Sequence, residues 1–261
     1  MARRGLIHKK GHYCMFTEIV NRTQNGLKQT AVWSVVIWSL VFTLILFVLF
    51  AIMGVHMAST LTSFPTTPIA MGNFGGAALL GGLIMILAGP YWIAATYGTL
   101  AEAANGTSIT WGSFWQNGRQ MYGRAWGIIG FSGLWGLTMF VIAIIFGALL
   151  RSPVLSTLVM MLWMIISLPV LIRMMGGLFS RRLSWGQSFT QSFQPAGWGI
   201  LWLAMVAYGI ASVIVLLLVS LILGHIPVIG SILVLCADVI LEVVGGIWAF
   251  SAYEVTTPTI Q

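Results

Sequence analysis

The stretch Thr110–Arg124, TWGSFWQNGRQMYGR, and its shorter echo Ser184–Gln194, SWGQSFTQSFQ, decide how the rest of the sequence reads. As a helix, the first puts Trp111, Phe114, Trp115, Gly118 and Tyr122 on one face, at spacings of three and four. Gln116, Asn117, Arg119, Gln120 and Arg124 fall on the other. The echo repeats the pattern with Trp185, Phe189 and Phe193. Such a helix is too polar to span a bilayer and too aromatic for a solvated surface. It fits the membrane interface, rings toward the apolar layer and cations toward the headgroups. A long apolar run follows each copy, so each opens a membrane hairpin.

Composition agrees. The 261 residues are 59% hydrophobic and 7% charged, with mean hydropathy +0.97. Soluble domains carry about a quarter charged residues, so this is a polytopic membrane protein with no room for a separate soluble catalytic domain. The pI near 9.9 does not point to nucleic acid, because the basic residues lie between apolar runs rather than on one face. Cys14 and Cys236 are far apart and define neither a disulfide framework nor a metal site.

Six runs reach the roughly 20 residues that a membrane helix needs: about 31–55, 76–100, 125–149, 153–176, 197–223 and 228–252. Eleven of the twelve Lys and Arg residues fall on one side of this arrangement, and only Arg151 on the other. The positive-inside rule then predicts cytoplasmic termini, with residues 1–30 a basic tail and interfacial helix and 256–261 a short cytoplasmic tail. Within the membrane domain, 31–255, an interfacial helix followed by two spans occurs three times, in units of about 15–105, 108–180 and 183–255. In the first unit the interfacial helix is Phe16–Lys28. The expected fold is an all-α polytopic membrane protein of six transmembrane helices in three such repeats. Glycines in span three (Gly127, Gly130, Gly133, Gly136) and span two (Gly75, Gly76, Gly81, Gly82) predict close helix packing. Trp33, Trp92, Trp126, Trp198 and Trp248 read as interface belts, and Met160, Met161, Met164, Met174 and Met175 as packing.

Asp238 and Glu242 are the one constellation that could carry chemistry. Four apart, they share a helix face inside the sixth span, where an ionised carboxylate costs about 2.5–3.5 kcal/mol. Three readings are open: a proton- or cation-linked site facing a cavity, a hydrogen-bonded lock on neighbouring spans, or a Glu242–Arg173 pair reached by snorkelling. Glu102 and Glu254 follow spans at the polar edge, where an ion pair with Arg119, Arg124, Arg181 or Arg182 would tie the units together. Those four arginines are also the candidates for anionic lipid headgroups, at about 1 kcal/mol each. The four histidines are dispersed, and no HExxH, Walker loop or dinucleotide fingerprint occurs, so neither an enzyme, a metal nor a cofactor is expected.

The segment YGTLAEAANGTSITWGSFWQNGRQMYGRAWG combines a span ending in aromatics, Glu-Ala, a short Gly/Ser/Thr turn and an aromatic Gly-Arg helix. It resembles poorly characterised bacterial multi-span membrane proteins related to the membrane domain of glycerophosphodiester phosphodiesterases. The resemblance is most specific over about 90–130 and weaker at 170–200; the family's soluble catalytic barrel is not present. It implies a bacterial inner-membrane helical bundle. Two functions fit: a non-enzymatic scaffold or lipid-interacting accessory, and a transporter or ABC-type permease subunit using Asp238 and Glu242 with a cytoplasmic ATPase as partner.

Overall fold

In lipid the backbone can satisfy its own polar groups within a helix, and the apolar runs of this chain are helical. A computed structural model describes residues 2–62, 68–150, 153–223, 225–226 and 229–257. The elements are α1 (Ala2–Leu27), a 3-10 turn (Thr30–Val32), α2 (Trp33–Thr62), α3 (Pro68–Ala104), α4 (Ser113–Gln120), α5 (Tyr122–Leu150) and α6 (Pro153–Met175). A π-helical turn (Gly176–Ser180), α7 (Trp185–Ser192), α8 (Trp198–Leu223) and α9 (Ile229–Thr256) complete the order. No strand occurs among the described residues. Arg151, the middle of the Thr/Pro/Ser loop (63–67) and the last residues of the tail (258–261) lie outside them.

Among the described residues, five stretches are long and apolar enough to cross a membrane: Gly82–Ala104, Tyr122–Gly147, Thr157–Ser180, Trp198–Leu223 and Ile229–Thr256. Cys14–Leu27 and Thr30–Leu46 pass together but meet at 78°, which makes six spans if that bent pair is one. The build is that of a multi-pass helical membrane protein.

Two short helices pack beside the long helix that precedes them, α4 on α3 and α7 on α6, and α1 packs on α9 from the other end of the order. The long helices α3 and α9 pack together, and the π turn that ends α6 touches both. The buried core gathers there, with Leu100 of α3, Leu178 and Phe179 of the π turn, and Val243, Ile247 and Phe250 of α9. Away from that end the helices are bare, and α8 has no buried residue in its most apolar window.

Close packing depends on glycines other than those expected. An added Cβ at Gly130, Gly133, Gly136 or Gly82 meets nothing within 4 Å, so span three is not glycine-packed except at Gly127, which lies under Trp185. Gly75, Gly76 and Gly81 lie where side-chain surroundings are not described. The tight approaches are at Gly118 under the Tyr91 ring, Gly98 against Asn117, and Gly176 and Gly177 against Tyr253 and Ser188. The last pair sits in the π turn, whose wider winding brings two consecutive glycines onto two neighbouring helices. Methionines divide too: Met174 is buried, whereas Met161 and Met164 are exposed.

Candidate functional site

The polar end of the bundle is built by α4 and α7, and both differ from their expected faces. The stretch Thr110–Arg124 is two helices: α4 ends at Gln120, Met121 breaks the winding at φ −106° and ψ 9°, and Tyr122 and Arg124 belong to α5. Trp111 precedes α4. Phe114, expected to face lipid, is buried between Trp92 and Trp115, with centroids at 5.1 and 5.3 Å. Asn117, expected among the outward polar residues, is buried against α3. Its amide donates to the Glu102 carboxylate at 2.8 Å and faces the Thr99 hydroxyl at 3.3 Å. Tyr122 is half-buried, its hydroxyl 3.5 Å from the Leu87 carbonyl.

The second copy behaves similarly. Ser184 caps α7 in a capping box with Gln187. Ser188, Gln191 and Ser192 turn inward, and Gln191 accepts a hydrogen bond from Tyr253 of α9 at 2.9 Å. Trp185, Phe189 and Phe193 form an outward ladder, 5.6 and 5.1 Å between successive rings. Trp111 and Trp115 are exposed as well. Asn117, Ser188, Gln191 and Ser192 therefore face protein, Gln116, Arg119, Gln120, Gln187 and Thr190 stay exposed, and five aromatic rings remain on the outside with them. Of the expected belt, Trp33 and Trp126 are exposed, whereas Trp92 stacks on Phe42 at 4.3 Å and Trp248 donates to the Ala204 carbonyl at 2.9 Å. The indole of Trp198 is buried at its nitrogen.

The acidic residues at the polar edge form the expected ion pairs. Glu254 meets Arg181 at 3.3 Å and accepts from the Ser180 hydroxyl at 2.5 Å; Glu102 meets Arg182 at 2.8 Å. Consecutive arginines thus reach different helices, α9 and α3. Arg182 adopts φ 53°, a left-handed conformation unusual for a side-chain-bearing residue, and the reversal there separates the two arms. Arg124 donates to the carbonyls of Leu178 and Leu183, at 2.6 and 3.3 Å, and so caps the end of the π turn. Arg119 is exposed at the end of α4 and has no hydrogen bond or ion pair among the described residues.

Arg173 was unreadable in sequence. Its side chain is fully buried, and its two terminal nitrogens donate to the backbone carbonyls of Gln194 and Ala196, in the linker between α7 and α8. It does not pair with Glu242, which corrects one of the three readings. Gln194 follows the C-terminus of α7, where the partial negative charge of the helix favours a guanidinium.

Asp238 and Glu242 are both exposed on α9. Neither has a hydrogen bond or ion pair among the described residues, so they do not lock the spans as a hydrogen-bonded pair would. Glu242 lies within electrostatic reach of Tyr97 in α3, whose ring packs edge-on against Phe179 and Phe250 at 5.8 and 6.3 Å. Asp238 lines a groove between α8 and α9 with Leu216, Ser220, Ser231, Val234 and Leu235.

Comparison with known proteins finds no matching family model, no matching curated protein and no matching solved structure.

Proposed function

We propose that this chain is a non-enzymatic scaffold of the bacterial inner membrane that holds anionic lipid at its polar end. The observation that carries this is the set of aromatic rings that α4, α7 and the residues flanking them leave exposed beside exposed Arg119. Asn117, Gln191 and Ser192 turn inward, while Trp111, Trp115, Trp185, Phe189 and Phe193 stay free to dip into the interface. Eleven of twelve basic residues belong to the same side, so both termini face the cytoplasm. The architecture is three repeats of one interfacial helix and two spans, and the pairing of α4 with α3, α7 with α6 and α1 with α9 supports it. The relation to phosphodiesterase-linked membrane domains rests on the Glu-Ala…TWGSFWQNGR grammar alone.

Among the four arginines, Arg119 is the headgroup ligand and half-exposed Arg182, paired with Glu102, a second one; Arg124 and Arg181 have protein acceptors. Native mass spectrometry of gently extracted protein should find anionic phospholipid retained. Arg119→Gln should weaken retention about fivefold, the equivalent of about 1 kcal/mol. Equal retention by wild type and variant would sink the proposal.

One observation favours transport as a second reading: Asp238 and Glu242 have no hydrogen-bond or ion-pair partner among the described residues, and unpaired intramembrane acids mark ion pathways by default. On this reading Asp238→Asn with Glu242→Gln abolishes proton or monovalent-cation uptake into proteoliposomes while the protein still folds. Uptake at the wild-type rate removes it, and a stoichiometric cytoplasmic ATPase in the mass spectrum makes the chain a permease subunit.

A further inference from the structure

The hairpin of α8 and α9 is tight at one end and open at the other. Tyr208 covers Gly245, where an added Cβ would lie 2.7 Å from the ring, and its hydroxyl donates to the Leu241 carbonyl. From Tyr208 toward the hairpin tip, α8 and α9 flank a depression. They leave an open groove of about 410 Å³ lined by Leu216 and Ser220 from α8 and by Ser231, Val234, Leu235 and Asp238 from α9. That volume falls in the range of small-molecule sites, roughly 300–1,000 Å³. Its walls are mostly apolar, with two hydroxyls and one carboxylate among the lining groups.

We infer that this groove binds an amphiphilic organic cation, with apolar groups against Leu216, Val234 and Leu235 and the positive centre on Asp238. Charge complementarity selects the occupant. Asp238 has no cation among the described residues, and a carboxylate flanked by apolar walls attracts a positive charge far more strongly than it would in water. Glu242, one turn further along α9, adds to the negative field at the inner end. A neutral amphiphile gains nothing from either acid.

Depth separates a free cation from a lipid headgroup. Asp238 stands nine residues into α9, about 14 Å from Ile229, and half of the hydrocarbon core is only about 15 Å. A headgroup amine held at the interface does not reach it, whereas a free lipophilic cation entering sideways from the bilayer does. The inference shares Asp238 with the transport reading but needs no flux. Binding without uptake rejects transport alone, and uptake without binding rejects this site alone.

Tetraphenylphosphonium is the probe, with binding to the full chain in nanodiscs measured by equilibrium dialysis. The expected outcome is saturable binding, weakened at least tenfold in Asp238→Asn and several-fold in Glu242→Gln. Neutral triphenylphosphine oxide should not compete. Leu216→Trp, which fills the groove and leaves both acids in place, should also abolish binding. Wild-type affinity in either Asp238→Asn or Leu216→Trp, or equal binding of the neutral compound, overturns the assignment.

Discussion

Arg173→Met should be the most destabilising single substitution in the polar end, lowering stability by about 3–5 kcal/mol. Methionine keeps the apolar stem of the side chain but removes two charge-assisted bonds, each worth about 1.5–3 kcal/mol, to the carbonyls of Gln194 and Ala196. Those carbonyls lie in the linker that turns the chain from α7 into α8, next to Gly197, which holds φ 79° against Thr256. With the guanidinium gone the linker loses its anchor, and α7 detaches from α6. A thermal melt in detergent should fall by about 10 °C. Arg173→Lys should fall between the two, because one ammonium does not span both acceptors as the planar guanidinium does. An unchanged melt for Arg173→Met would mean that the linker is held by something else.

Glu254→Lys should follow closely, at about 3 kcal/mol. The carboxylate and Arg181 are each only 15% exposed, so the variant places two cations together with little water to screen them. It also takes the acceptor from Ser180 in the π turn. Adding Arg181→Glu restores opposite charges, and the double variant should recover most of the loss. Breaking the other pair by Glu102→Gln, which keeps an acceptor for the Asn117 amide, should cost about 0–1 kcal/mol, since its partner Arg182 is 49% exposed. Melts of the four proteins check the pattern; equal losses at Glu102 and Glu254 would show that burial does not set the strength of these pairs.

Much of this frame was legible because it depends on composition and period. Five of the six expected spans were found within about six residues, the first only as part of a bent pair, and the pairing of Glu102 and Glu254 with arginines followed from charges of opposite sign at one edge. What escaped depends on what lies opposite. The 3.6 period puts Asn117 on the polar face of its helix. It is buried because Gly98 leaves room there and Glu102 accepts its amide, and both lie on another helix. Helical spacing likewise runs through Met121 without a mark of the break. Glycine spacing says that a backbone can approach, not from which side, so the glycines of span three were misread. Arg173 resembles any snorkelling cation, since its acceptors are main-chain carbonyls and any residue type supplies those. At the candidate site, the i,i+4 acids were evident, but the groove beside Asp238 depends on which α8 residues lie opposite, and spacing along one helix does not show that.

The docking of α1 on α9 has a consequence for how the molecule is made. Phe16 sets its ring against Trp248 at 5.5 Å, Ile19 is fully buried, and Gly26 admits Ile247 to the α1 backbone. About two hundred residues separate Leu27 from Ile229. At roughly 5–20 residues per second, an early helix waits some 10–40 s before its mate leaves the ribosome. During that interval its apolar edge has only the bilayer surface to rest on. The aromatic and basic residues of α1 suit that temporary berth, and α9, inserted long after it, is the helix that draws it into place.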